Sequence, residues 1–133
     1  VTYRATVGWN EAQLAGALAW LALGTGAATL EIYGTPQPQA AGGDAGETPL
    51  VVIPLQQPVG TIAVGVFTIT PTEDAIITAS GGAVWGRVRN GNGDIGFDAS
   101  VTDAQGAGPI KLPSTTLYAG GATRIVAGST LAY

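Results

Sequence analysis

The sequence predicts a mainly β domain, a jelly-roll-like or Greek-key β-sandwich of about eight short strands with one N-terminal α-helix. Three observations predict it. From residue 29 onward, short runs rich in Val, Ile, Thr and aromatic residues recur, each bounded by Gly, Pro, Asn or Asp; this is the punctuation of a sandwich, jelly roll or barrel. Only one segment, residues 10–23, carries a helical pattern. At 133 residues and 46% apolar content, the chain has the material for one core, so neither disorder nor a second domain is expected.

The helix comes first. Asn10 is placed to cap its first turn, and Gln13 three residues later completes a capping-box pattern. Glu11 suits the positive end of the helix dipole, and Gly24 is positioned to end the helix in a left-handed conformation. Leu14, Leu18 and Leu21 form one stripe at helical spacing; Trp20 and Leu23 lie off it, and the small residues between are nearly all Ala. A helix apolar over most of its circumference must be covered on more than one side. Its second face, around Trp20, either sinks against its own β core or packs on a partner protein.

Ahead of the helix, residues 1–9 read as an N-terminal arm, with residues 10–133 as the domain. The opening segment alternates weakly and is suited to adding a strand to this domain or to a neighbouring subunit's sheet edge. Trp9 either staples the start of the helix or anchors the arm.

The strands follow in order. Thr29–Tyr33 is short and rich in branched and aromatic residues. Residues 49–56 and 61–70 come next, separated by a turn around Pro58 and Gly60; Pro54 marks the first of these as an edge or bulged strand. Residues 75–79, 83–89 and 94–101 continue the set, the last with Ile95, Phe97, Ala99 and Val101 alternating with polar or small residues. Residues 109–112, 115–118 and 122–131 complete it. Between two of these strands, Asn90-Gly91-Asn92-Gly93 is a strong hairpin signal, because Asn and Gly tolerate positive φ. Residues 35–48, which include Pro36 and Pro38, lack any apolar period and read as a long flexible loop, of a length that in a compact domain marks either a functional arm or disorder.

The reactive side chains argue against catalysis. With no His and no Cys, the chain lacks an imidazole that titrates near neutrality and a thiolate nucleophile. Its carboxylates are scattered. Asp94 and Asp98 lie roughly 13 Å apart along a strand at about 3.3 Å per residue, too far for a glycosidase pair, and Asp98 reads as a solvent-facing strand residue. Asn90, Asn92 and Asp94 place oxygen donors at alternate positions as calcium loops do, but no bidentate Glu follows; the hairpin accounts for these residues. No enzyme, cofactor or metal site is therefore expected. Lys+Arg 5 against Asp+Glu 9 gives a net charge of −4, which offers no field for a phosphate backbone. The apolar stretch near the N-terminus falls short of the roughly 20 residues that span a bilayer, and it has neither the basic flank nor the cleavage site of a signal peptide. Neither nucleic acid nor membrane is an expected partner.

Trp85, Arg87 and Arg89 share one face of a strand. Tryptophan with arginine is the composition of an interface hot spot or a sugar-binding platform. The plainer reading is a Trp half-buried in the sandwich with Arg stems lying over it.

A resemblance adds to this reading. The chain runs from a short apolar helix into Thr29-Leu-Glu-Ile-Tyr-Gly-Thr-Pro36, then through a Pro/Ala/Gly loop to Pro49-Leu-Val-Val and Gly65-Val-Phe-Thr-Ile. Ala79-Ser-Gly-Gly-Ala-Val-Trp-Gly-Arg87 and an Asn/Gly hairpin lead to Phe97-Asp-Ala-Ser-Val101, and Thr116-Leu-Tyr-Ala-Gly-Gly121 and Gly128-Ser-Thr-Leu131 close the chain. Over nearly its whole length it resembles small virion-associated proteins of tailed bacteriophages and prophages, departing from them at Gly86, where a bulkier residue is the pattern. The resemblance implies a structural part of the virion. Foremost is a capsid cement or decoration protein on the capsid surface, commonly trimeric, bridging the major capsid protein or other virion subunits. Many small clamps repeated by symmetry suit a pressurised shell. A tail, collar or baseplate subunit is the alternative within the virion, and a carbohydrate-binding sandwich for host glycan the alternative outside that class. The expected contact residues are Tyr3, Arg4, Trp9 and Trp20 with Pro36 and Pro38 of the long loop, joined by Trp85, Arg87 and Arg89.

Overall fold

The computed structural model describes residue 4, residues 6–40 and residues 42–132. The chain is mainly β, with one helix and several sheets curled into a half-barrel. The elements are α1 (Val7–Leu21), β1 (Thr29–Tyr33), β2 (Val51–Pro54), β3 (Gly60–Ala63), β4 (Val66–Ile69), β5 (Ala75–Ile76), β6 (Gly81–Gly82), β7 (Trp85–Arg89), β8 (Ile95–Asp103), β9 (Ile110–Leu112), β10 (Thr116–Leu117), β11 (Ala122–Thr123) and β12 (Thr130–Ala132).

The helix starts one turn earlier than the Asn10 signal predicts. Thr6 holds an extended backbone, and its hydroxyl accepts from the Trp9 N–H at 3.2 Å, the same N-cap chemistry one turn upstream. Asn10 is thus a helical residue, and Trp9 sits in the first turn instead of in a preceding arm. Of that arm, Arg4 is exposed, and Tyr3 lies outside the described residues. At the other end Gly24 is left-handed as expected, with φ +98°, two residues beyond the Ala22 cap. The reason is tertiary. Gly91 of the hairpin donates its N–H to the Leu23 carbonyl at 2.9 Å, and a Cβ on Gly24 would come within 2.4 Å of the Asn92 nitrogen. Helix exit and hairpin meet backbone to backbone.

Five strands form the largest sheet in the order β2-β1-β7-β8-β9, antiparallel except for the parallel pair β8-β9. As Pro54 implied, β2 is an edge strand. A second sheet has the order β12-β4-β3, and β10-β6 and β11-β5 make two short ribbons. The expected single strand over 61–70 is in fact the hairpin β3-β4. Its two turn residues, Val64 at φ +52° and Gly65 at φ +74°, have the paired positive φ that matches strand twist in a two-residue turn. A β-branched residue is an outlier there, so Val64 conceals the turn from sequence. Residues 122–131 likewise divide between β11 and β12.

The 90–93 hairpin is present. The side chain of buried Asn90 accepts from the backbone N–H groups of Asn92 and Asp94 at 3.0 and 3.1 Å, so its oxygen is spent on the turn. The core lies on the inner face of the large sheet. Leu30, Ile32, Val51, Ile53 and Val88 pack there in one cluster with Phe67 and Ile69 of β4, and Leu14 and Leu21 of α1 join it. Each such side chain contributes about 1.5–3 kcal/mol on burial. Gly86 stands on this inner face, where a Cβ would come 2.7 Å from the Leu30 methyl, which explains the small residue between Trp85 and Arg87.

Candidate functional site

Two surfaces gather the residues singled out by sequence. The first is the outer face of the large sheet. Strand register sets Tyr33 beside Trp85 and places Arg87 between Glu31 and Asp98 on the flanking strands. Arg87 Nε donates to Asp98 Oδ1 at 2.8 Å and Nη2 donates to Oδ2 at 3.1 Å, a two-pronged pair whose side chains are 4% and 2% exposed. The Arg87 guanidinium carbon stands 5.1 Å from the Trp85 ring centroid, and Trp85 stacks on Tyr33 at 4.5 Å. Neighbouring Arg89 is only partly covered; it donates to Glu31 at 2.8 Å and to the Gly93 carbonyl at 3.0 Å.

The 35–48 loop closes this face. Arg87 Nη2 donates to the Gly43 carbonyl at 2.6 Å, and Gly42 N–H donates to Asp98 at 3.3 Å. Glu47 accepts from Gly34 N–H at 2.8 Å, and Thr35 donates to the Ala45 carbonyl at 2.9 Å. The loop is therefore fastened across the sheet, which corrects the expectation of a free arm; within it Pro36 is exposed and Pro38 half-buried. Beneath it Trp85 is 0% exposed, so it presents no ring to a glycan or a partner. Arg87 is equally closed off, and Asp98 is an ion-pair partner instead of a solvent-facing residue. Burial and the neighbouring Glu31 carboxylate, to which its hydroxyl donates, raise the Tyr33 pKa. The hydrogen bond to Asp98 raises that of Arg87. Buried charges need such pairing, and the arrangement fastens the loop over Trp85 and Arg87.

The second surface is the outer side of α1. Trp9 is 57% exposed, and Leu23, two residues past the last helical residue, is 50% exposed; Val7 is exposed too. The other exposed residues of the helix are Gly and Ala. Glu11, the only charged residue in α1, turns to the β3-β4 hairpin and accepts from the Gly65 N–H at 3.1 Å. The outer face thus carries no charge. At its C-terminal end half-buried Trp20 lines an apolar groove of about 250 Å³ with Ala17, Leu21, Ile95, Gly96 and Phe97. Of the nine residues expected at contacts, the structure brings Trp9 and Trp20 onto this helix and leaves Trp85 and Arg87 beneath the loop.

The groove wall on β8 was not anticipated from sequence. The available signal was Gly96, a glycine between two apolar residues of a strand, which marks close approach; a Cβ there would come 2.9 Å from the Trp20 ring.

Comparison with protein-family models, curated proteins and solved structures finds no match to this chain. Among the described residues no group of three or more acidic side chains could hold a metal ion, and no helix is long and apolar enough to cross a membrane.

Proposed function

We propose that this chain is a non-enzymatic structural subunit of a bacteriophage virion, a capsid cement or decoration protein that bridges subunits of the head. The observation that carries the reading is the outer face of α1. It is apolar, uncharged and exposed, whereas a helix apolar on all sides is stable in water only when both sides are covered, and exposed apolar patches of this kind mark association surfaces. The class of assembly comes from the resemblance of its motif order to small virion-associated proteins. We read the curled sheets as a jelly-roll-like or Greek-key sandwich, a shape that presents one helix face to neighbours while the sheets keep the domain folded.

The test is to add purified protein to particles lacking it and locate the bound density by electron cryomicroscopy. Density repeated over the head at capsomer junctions, lost with Trp9→Asp, is the expected result. Density confined to the neck or tail would move the protein to a collar or baseplate role, and no bound density would overturn the virion reading.

A further inference from the structure

We infer that Asn92 is a site of spontaneous deamidation through a cyclic imide, and that the fold withholds the same chemistry from Asn90 at the other side of the turn. The reaction needs no partner and stands apart from the virion reading.

The sequence presents two equal candidates. Asn90-Gly91 and Asn92-Gly93 are both Asn-Gly pairs, whereas the remaining asparagine, Asn10, precedes Glu11. Glycine after asparagine favours the reaction because no side chain hinders the approach of the next backbone nitrogen, and because glycine reaches conformations closed to other residues. At Asn92 the Gly93 nitrogen gives its proton to hydroxide and adds to Asn92 Cγ. The Cγ–Nδ2 bond then breaks and ammonia leaves, closing the imide ring. Water reopens the ring at one of its two carbonyls. Opening at Cγ gives aspartate; opening at the main-chain carbonyl gives isoaspartate, whose main chain runs through Cβ and Cγ. Nothing is oxidised or reduced.

The structure separates the two sites. Asn90 is 3% exposed, and both ends of its side-chain amide are engaged. Oδ1 accepts from the Asn92 and Asp94 N–H groups at 3.0 and 3.1 Å, and Nδ2 donates to the Trp20 carbonyl at 3.5 Å. The attacking nitrogen is held as well, since Gly91 N–H donates to the Leu23 carbonyl at 2.9 Å. This backbone is pressed on the helix exit so closely that a Cβ on Gly91 would come 2.2 Å from the Gly26 oxygen. Imide closure at Asn90 therefore requires the hairpin to leave the helix first, an opening of a packed unit.

Asn92 meets none of these restraints. Its side chain is exposed, and the turn uses only its backbone N–H. Gly93 is exposed too, and a Cβ on it would meet nothing within 4 Å. Its N–H donates to the Asn90 carbonyl at 3.0 Å, a bond at the open tip of the hairpin that local fraying releases.

The products change the molecule. Each adds a carboxylate to a chain already at −4. Isoaspartate also adds one main-chain atom between Asn92 Cα and the Gly93 nitrogen, where the register is fixed on both sides. Asn90 N–H donates to the Asp94 carbonyl at 3.0 Å, and Arg89 Nη1 donates to the Gly93 carbonyl at 3.0 Å. The added length draws Gly93 away from Arg89 and loosens the hairpin against Leu23 and Gly24.

Incubating the purified full chain at mildly alkaline pH tests this, with fragment ions in mass spectrometry locating each conversion. Labelling by an isoaspartyl carboxyl methyltransferase identifies the isoaspartate. In the native chain Asn92 should convert at least about 10-fold faster than Asn90, and in guanidinium chloride the two should converge to within about 3-fold. A native ratio below that, or an intact Asn92 while the denatured chain converts, would overturn the site. A difference that persists in denaturant would assign it to sequence and overturn the protection of Asn90. The isoaspartyl fraction, separated by ion exchange, should unfold at a lower temperature than fresh Asn92→Asp, which carries the charge without the added atom. Equal midpoints would overturn the effect on the hairpin.

Discussion

The two outer faces of this molecule invert the usual arrangement. The outer side of the large sheet carries Glu31, Arg87, Arg89 and Asp98 among its residues, the composition of a solvent face, and its centre is sealed by the 35–48 loop. The outer side of α1 carries Trp9, Ala12, Gly16 and Ala19, the composition of a buried face, and is open. The Arg87–Asp98 pair is thus buried where its charged groups find partners, whereas the apolar Trp9 side of the helix is left uncovered. Cover is decided by which chain segment is available to arrive, and residue type alone does not say.

The difference breaks most visibly at the ion pair. Asp98→Ala leaves the Arg87 guanidinium buried without its partner and should cost about 3–5 kcal/mol, read by urea unfolding, with new protease cleavage within 35–48 as the loop is released. Replacing both partners by apolar residues, Arg87→Met with Asp98→Leu, should recover most of that loss. If the single variant costs no more than a surface substitution, the loop is not held by this pair.

The tryptophans offer a matched comparison. Trp85→Ala removes a fully buried ring and should cost about 3–5 kcal/mol. In the monomer Trp9→Ala removes an exposed one and should change stability by less than about 0.5 kcal/mol. Equal costs, measured by the same unfolding assay at low protein concentration, would show that the helix face is covered within the chain after all.

Val64 sharpens the picture of how the helix is seated, since its turn presents Gly65 N–H to Glu11. At φ +52° and 79% exposed, Val64 bears backbone strain with little packing in return. Val64→Asn, which tolerates that region, should raise stability by about 1 kcal/mol and shift the thermal midpoint upward.

The smallest effect is a pH dependence of the covered face. Burial raises the Tyr33 pKa above its ordinary 10.0, so the folded state holds this proton after the unfolded state has lost it. Stability from this group is complete below about pH 10 and falls as pH rises beyond it. Tyr33→Phe should flatten the decline between pH 10 and the folded-state value in denaturant titrations; an unchanged slope would assign the decline to other groups.

Much of the architecture was legible residue by residue. The single helix, the early strands and the 90–93 hairpin follow from signals that act over a few residues: apolar period, branched side chains, Asn and Gly at positive φ. The errors also have local causes. Asn10 and Gln13 imitate a cap that Thr6 provides one turn earlier, and Val64 hides a turn because valine disfavours the conformation it adopts. The candidate contact residues divided for a different reason. Trp85, Arg87 and Arg89 were correctly placed on one strand face, but a strand alternates only between two faces and does not state which of them another segment will cover.

The sequence by itself determined a β-rich chain with one largely apolar helix, because periodicity and backbone preference are properties of neighbouring residues. Only the tertiary structure decided that Gly43 reaches Arg87 to bury the tryptophan face, and that Trp9 stays in the open. Burial is a property of what packs on a residue, and here those segments lie tens of positions away along the chain.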